Sequence, residues 1–599
     1  MNAIHSLYVT ARIQCLGAPF ILQDEGHMFH CQNGFFDLSE KATLAQQSFL
    51  KALHSDLRKF IGSRILPANE LPIKILETVV AADLEAIQVD WFQKGLISRD
   101  GNPLVMMDSY FEWSPLNSRV DLHNHMQRLS KIQPQLDIIL QNLRESISQN
   151  VTMNRETVCR LIKFCTQYAA SDLSLSPLFI PPYATGKFDM SPLEMEVEQK
   201  KLKEAVERVF AGFRKVAHFL QQSYLPRTRT NAGIYGLSGY EKAYQRYIHQ
   251  YCLSDVSATE IYEIGMSQIP GIQQVMRTIL ALDDFRGFAA QLRDRESSPT
   301  LYESDADVAF EKFKAICVAA LENCKRFRFT LMPRTEGFEM CRIMKLDPEF
   351  DDEITSPIAF FRQTPLDFAD TIQGFVVNVK KLMELPNHQW EAIVLNKLYP
   401  GAFLQLESIN SIDPGNSFYS FIYKTHTKTS TTHWPTYVES CGQEIGFYQS
   451  PLQHFGKLER ELINAILLVV DTGLHARNWS IEQSVDFIVS NSAYITQQDA
   501  LELVLQCCEN PGKALAPKMG ELRLRDLRER LERVIVLDSL YRDVVTQAMM
   551  ETEYLLLDHM EQRGSVENGD KNPHGNGLER FVLARVKYWM DLLEASSNA

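Results

Sequence analysis

Helical periodicity sets the tightest limit on what this chain can fold into. Three long stretches, "SFLKALHSDLRKFIGSRI", "SRVDLHNHMQRLSKIQPQLDIILQNLRESISQ" and "MEVEQKKLKEAVERVFAGFRKVAHFLQQSYL", place apolar side chains at i, i+3, i+4 and i+7. That spacing gathers them on one helix face. Strand-like alternation is scarce, with "RFRFTLMP" near 326–333 the best candidate. Ser257-Ala-Thr-Glu260 and Ser480-Ile-Glu-Gln483 read as capping boxes, and Thr496 as an N-cap with Asp499 in the first turn. Breaks fall at 175–192, 225–239, 281–287, 346–357 and 566–577. None is long or biased enough to be a flexible interdomain linker, and no repeat of fixed period appears. The expectation is a mainly α protein: a large all-helical body with few short strands, its regions 1–175 and 176–599 forming one continuous unit.

The 599 residues are 45% hydrophobic and 23% charged, enough apolar material for several cores. A net charge of −14 argues against a nucleic-acid or anionic-membrane partner, because both need a basic face. The N-terminus lacks the basic segment and clean apolar core of a secretory signal, and the run "AILLVV" at 465–470 is too short to span a bilayer. Eleven cysteines, an odd count with no C-x-x-C repeat, fit free thiols in a reducing compartment, so a cytoplasmic protein is expected. Adjacent Cys507 and Cys508 read as buried small hydrophobes. His123 and His125 are expected on a polar helix surface.

Two blocks in the C-terminal third carry a specific resemblance. "AILLVVDTGLHARNWSIEQSVDFI" (465–488) and "ENPGKALAPKMGELRLRDLRERLE" (509–532) closely resemble two signatures of the bacterial domain-of-unknown-function family 885. Those signatures run roughly R-L-V-V-D-T-G-L-H-x-x-G-W and P-G-Q-A-L-x-Y-K-I-G-E-L-x-I-x-x-L-R. "GIYGLSGYEKAYQRYIHQYCLSDVSATEIYEIG" is similar to an upstream segment of the same family, so the resemblance extends from about residue 170 onward. The family's members look like helical zincin-type metallopeptidases, which implies a zincin-like domain over 176–599.

The family's metal motif, H-E-G-I-P-G-H-H-L-Q, aligns with Asn396-Lys397-Leu398-Tyr399-Pro400-Gly401-Ala402-Phe403-Leu404-Gln405. Asn396 stands for the first histidine, Lys397 for the glutamate base, and Ala402 and Phe403 for the paired histidines. The later V-E-G-W ligand segment appears as Val438-Glu439-Ser440-Cys441. Catalytic zinc needs about three N, S or O ligands and an open position. Glu439 alone survives, so no metal and no cofactor is expected. A buried carboxylate that loses its dication needs another cation, and a Lys397–Glu439 ion pair is the expected replacement.

Lys397, Glu439 and His475 are the candidate catalytic residues if the chain is an enzyme. Asn396, Tyr399, Ala402, Phe403 and Cys441 are expected to line the cleft. Cys441 is the weaker nucleophile, since a carboxylate beside it raises a thiol's pKa. Asp471, inside an apolar run, reads as buried and hydrogen-bonded. His426, His433 and Glu439 are the one alternative metal set, workable only if their segment is a loop. No G-x-S-x-G, phosphate-loop or G-x-G-x-x-G motif occurs. The expected function is metal-free binding of a peptide, metabolite or protein partner in an inherited cleft. The alternative is an enzyme, of biosynthetic type, with metal-independent chemistry on an amino-acid-derived or peptide-like substrate; a metallopeptidase with relocated ligands comes third.

Overall fold

A computed structural model describes residues 22–24, 27–29, 38–61, 118–171, 191–252, 256–281, 299–326, 341–346, 358–362, 374–405, 430–493 and 495–534, with isolated positions between them. The protein is mainly α-helical. Its helices are α1 (Glu40–Ile61), α2 (Arg119–Ser148), α3 (Arg155–Tyr168), α4 (Pro192–Phe219), α5 (Tyr240–Cys252), α6 (Ala258–Leu280) and α7 (Ala306–Arg326). They continue with α8 (Val379–Met383), α9 (Trp390–Lys397), α10 (Ser430–Ser440), α11 (Pro451–Ala476), α12 (Ile481–Asn491), α13 (Gln497–Glu509) and α14 (Ala516–Val534).

The helix starts follow local chemistry. Full capping boxes open α6 at Ser257/Glu260 and α13 at Thr496/Asp499, while at α12 the Ser480 hydroxyl accepts from the Gln483 N–H. Two further boxes, Ser191/Glu194 before α4 and Ser450/Gln453 before α11, each precede a proline at the first helical turn, where its missing N–H costs nothing. In α2 the buried Leu122, Leu129, Ile132, Leu136, Leu140 and Leu143 trace the core-facing stripe. His123 is exposed, but His125 is buried, its Nε2 bonded to the Leu178 carbonyl. A two-residue step turns a helix by roughly 200°, so the pair cannot share one surface.

Strands are few and short. β1 (Leu22–Asp24) and β2 (His27–Phe29) pair antiparallel. A three-stranded sheet has the order β3 (Arg342–Lys345), β5 (Gly374–Val377), β4 (Ala359–Arg362), with β5 parallel to β3 and antiparallel to β4. Central β5 is buried along its length, as befits a strand covered on both faces. The strand expected in "RFRFTLMP" lies, from residue 327 on, outside the described residues.

Three apolar clusters form the interior. One joins α2, α3, α4 and α5, uniting side chains on both sides of residue 175. A second packs α7 and the sheet on α9 and α10. The third gathers α6, α12 and α13 on α11. α11 is the central post, with Leu458, Leu462, Ile466, Val469, Val470 and Leu474 all buried. Cys507 and Cys508 are buried free thiols, as expected. Among the described residues no helix is long and apolar enough to cross a membrane.

Candidate functional site

The end of α9 carries Asn396 and Lys397, and the chain stops being helical there for a local reason. Pro400 cannot continue a helix, and Gly401 folds back against the helix end. A Cβ at Gly401 would lie 2.0 Å from the Asn396 carbonyl oxygen and 2.3 Å from that of Leu395. Both obstacles are backbone, so Gly401→Ala is expected to cost about 2–3 kcal/mol by pushing the turn off α9. Chemical denaturation of the variant checks it; an unchanged midpoint would show that the turn tolerates a side chain. The Trp434 indole N–H donates to the Pro400 carbonyl at 2.9 Å, fastening this turn to α10.

Glu439, near the end of α10, is only 4% exposed, and its carboxylate is fully engaged. Arg460 of α11 grips it as a fork, Nε to Oε1 at 2.7 Å and the second guanidinium nitrogen to Oε2 at 3.2 Å. The Asn396 amide donates to Oε2 at 2.9 Å. The expected Lys397–Glu439 ion pair is therefore corrected: Arg460 takes that place. A guanidinium matches both carboxylate oxygens at once, which an ammonium cannot do.

Lys397 stands next to this pair without joining it. Among the described residues none forms a hydrogen bond or ion pair with its ammonium. Its side chain is exposed to water, yet protein packs around it densely enough to lower its pKa. Burial is the main cause, Arg460 adds to it, and Glu439 opposes both.

A second polar tier borders the pair on the α11–α14 side. Glu461 receives Lys457 and Lys518, Lys518 also bonds Glu521 at 3.0 Å, and Arg525 bonds Glu521 at 2.9 Å. Burial would raise the pKa of Glu461, but the two lysines outweigh it and hold it at about 2. At the foot of α9, His388 and Gln389 hold buried Glu459 at 3.0 and 2.7 Å.

The remaining expected residues lie elsewhere. Tyr399 and Phe403 are buried in the second core cluster, ring to ring at 5.2 Å, while Ala402 is half-buried. Cys441 is buried, and its thiol pKa is raised by burial first and then by Glu444, not by Glu439. His475 is removed from the candidate set. It lies 15 residues from Arg460, roughly 22 Å along α11, and both ring nitrogens are used. Nδ1 accepts the Ile234 N–H at 3.1 Å and Nε2 donates to the Cys507 carbonyl at 3.0 Å. Asp471 is buried and hydrogen-bonded, as expected, accepting from Tyr244 and from the Gly512 N–H. The two signature blocks thus bind each other directly, since Asp471 and Gly512 belong to one each. Arg460 and the Lys518–Glu461–Glu521 network were not foreseen, although four charges inside the largely apolar-flanked "GKLERELINA" segment were an available signal.

The side chains at the aligned motif do not fit a metal ion. Asn396 and Arg460 donate three hydrogen bonds to Glu439, the guanidinium already stands where a cation would neutralise it, and Ala402 and Phe403 offer no metal-binding atom. His433 sits on a helix with its Nε2 bonded to the Tyr251 carbonyl at 3.0 Å, and His426 lies outside the described residues. Among the described residues no group of three or more His, Cys, Asp or Glu is placed to hold a metal.

Comparison with known proteins bears on lineage and fold. A search of curated proteins finds no match. The fold is similar to that of two solved structures, each described as a "putative lipoprotein". That from Colwellia psychrerythraea has a TM-score of 0.77 at 18% identity, covering 92% of this chain and 98% of its own. That from Shewanella oneidensis, of unknown function, has a TM-score of 0.61 at 12% identity with the same coverage. Lipoproteins are anchored to a membrane by an acyl chain, and these neighbours overturn the cytoplasmic expectation. The thiol count on which it rested reports redox chemistry rather than address. The model of the family described as bacterial protein of unknown function DUF885 matches residues 26–534, and this chain belongs to that family.

Proposed function

We propose that the protein is a metal-independent binder of a peptide-like or amino-acid-derived ligand, held beside the end of α9. One observation carries the reading: the Arg460 fork and the Asn396 amide occupy the Glu439 carboxylate that a metal would need. A fixed side-chain cation thereby stands in place of a dication and neutralises the carboxylate without a metal. Lys397 supports a binding role, because its amine is reachable by water and no partner for it occurs among the described residues. Such an amine, with Arg460 behind it, favours ligands bearing an anionic or carbonyl group.

Elemental analysis of the purified chain tests this directly. Zinc is expected far below one per chain, and a chelator is expected to leave the unfolding temperature unchanged. A library of short peptides and N-acyl amino acids, screened by thermal shift, is expected to contain members that raise that temperature in the chelator-treated protein. Stoichiometric zinc whose removal abolishes those shifts would refute the reading. The alternative, metal-independent catalysis, draws its support from Lys397 alone.

A further inference from the structure

We propose that the outer edge of β3 is a docking site for an acidic, extended segment of a partner protein, which adds to the three-stranded sheet as an antiparallel fourth strand. The inference is independent of the ligand reading above and rests on where the sheet's backbone groups point. The Leu346 N–H donates to the Val377 carbonyl at 2.8 Å, and β3 runs parallel to β5 with Arg342 opposite Gly374. In such a pair alternate residues turn both backbone groups toward the neighbour. Arg342 and Met344 therefore face β5, and a Cβ at Gly374 would lie 2.5 Å from the Arg342 carbonyl oxygen. Ile343 and Lys345 face the other way. Their N–H and C=O groups have no partner among the described residues, and β3 is an end strand of its sheet. The opposite edge differs. The Asn378 N–H donates to the Ile358 carbonyl, which turns Ala359 outward, and Ala359 is only 3% exposed. On β3, Arg342 and Lys345 are exposed and Ile343 is half-buried.

A row of outward N–H and C=O groups is complementary to another extended backbone, and antiparallel pairing is the more stable way to add one. Charge selects which backbone. Edge cations ordinarily discourage a further strand, but Lys345 is turned onto α7, where it pairs with Asp307 and covers the Phe310 ring at 5.1 Å. Side chains alternate along a strand, so Arg342 projects from the opposite face. Its guanidinium lies beside the position that a cross-strand side chain would take, and a carboxylate there completes an ion pair. A second copy pairing through its own β3 cannot supply that group, because "CRIMKL" (341–346) contains no acid.

The probe is a short acetylated and amidated peptide of alternating valine and glutamate, fluorescently labelled and titrated with the full chain by anisotropy. Saturable binding with a Kd below about 1 mM is expected. With a glutamate opposite Arg342, the valines stand opposite Ile343 and Lys345 and turn their amides to β3. Methylating the valine amides is therefore expected to abolish binding, and methylating the glutamate amides to spare it. Ile343→Pro removes one outward donor and none of the β3–β5 bonds, and the extended residue before it suits a proline. It is expected to weaken binding about fivefold to tenfold, the worth of one hydrogen bond, at an unchanged unfolding temperature. Arg342→Glu leaves the backbone intact and is expected to shift the preference from the glutamate peptide to its lysine counterpart. Binding that survives both valine-amide methylation and Arg342→Glu would place the peptide elsewhere and overturn the proposal, as would the absence of saturation. A concentration-dependent dimer in sedimentation, abolished by Ile343→Pro, would overturn it too, by assigning the edge to a second copy.

Discussion

Arg460→Leu is expected to lower folding stability by about 3–5 kcal/mol, the usual penalty for stranding one member of a buried ion pair. Glu439 is 4% exposed and accepts three hydrogen bonds, two of them from Arg460. Without the guanidinium only the Asn396 amide remains, and a single neutral donor cannot offset the desolvation of a carboxylate. Lys397 feels the Glu439 charge already and is a neighbouring cation able to move toward it. Adding Lys397→Met to Arg460→Leu is therefore expected to deepen the loss. Removing both partners, as Arg460→Leu with Glu439→Leu, is expected to recover most of it, because nothing charged is then left behind. Urea midpoints at constant m-value give all four numbers. If the double removal is as damaging as Arg460→Leu alone, the guanidinium matters for packing and the replacement of a metal by a side-chain cation loses its support.

The sequence revealed the helices and hid the partner of Glu439, and the difference lies in the range of each interaction. Helix starts are set by contacts three residues apart, so Ser257, Ser480 and Thr496 announced themselves. The burial of Asp471 was equally legible, because an isolated acid in "LLVVDTG" has no polar face to occupy. The sheet escaped notice because strands of four residues carry too little alternation to register, and β5, buried on both faces, carries none. Arg460 lies 21 residues from Glu439 in the chain and on another helix, so no local pattern links them. Lys397 was chosen on proximity to a lost ligand, and the fold shows why proximity misled. Asn396 and Lys397 leave the helix about 100° apart, and the former takes the Glu439 contact. His475 misled in another way, since a histidine in a signature block looks catalytic until its two backbone partners are seen.

Three buried histidines are expected to make the protein acid-labile. His475, His125 and His433 are buried and neutral, with pKa values lowered from 6.5 to about 3, 4 and 4. Burial is the chief cause in each, and the nearby Arg229, Arg128 and Arg523 act in the same sense. The unfolded chain takes up these three protons as pH falls below 6.5, while the folded chain does not until near 4. Stability is thus full above 6.5 and drains as pH falls. At about 1.4 kcal/mol per unit the three together are worth roughly 12 kcal/mol, the scale of an entire folding free energy. Two buried acids oppose them. Asp471, pushed up to about 7, holds a proton in the folded state that the unfolded state has released, and burial raises Glu391 in the same sense. Their contribution grows as pH falls through the same window, up to roughly 4 kcal/mol for Asp471. Near pH 5 the net uptake on unfolding is expected to be one to two protons, a slope of about 1.4–2.7 kcal/mol per pH unit. His475→Gln keeps an acceptor for Ile234 and a donor for Cys507, and is expected to flatten that slope by about one proton. A stability that stays level or rises as pH falls from 6 to 4.5 would mean that the three imidazoles are protonated inside the fold, and that the carbonyls of Leu178, Tyr251 and Cys507 stabilise charge rather than orient neutral rings.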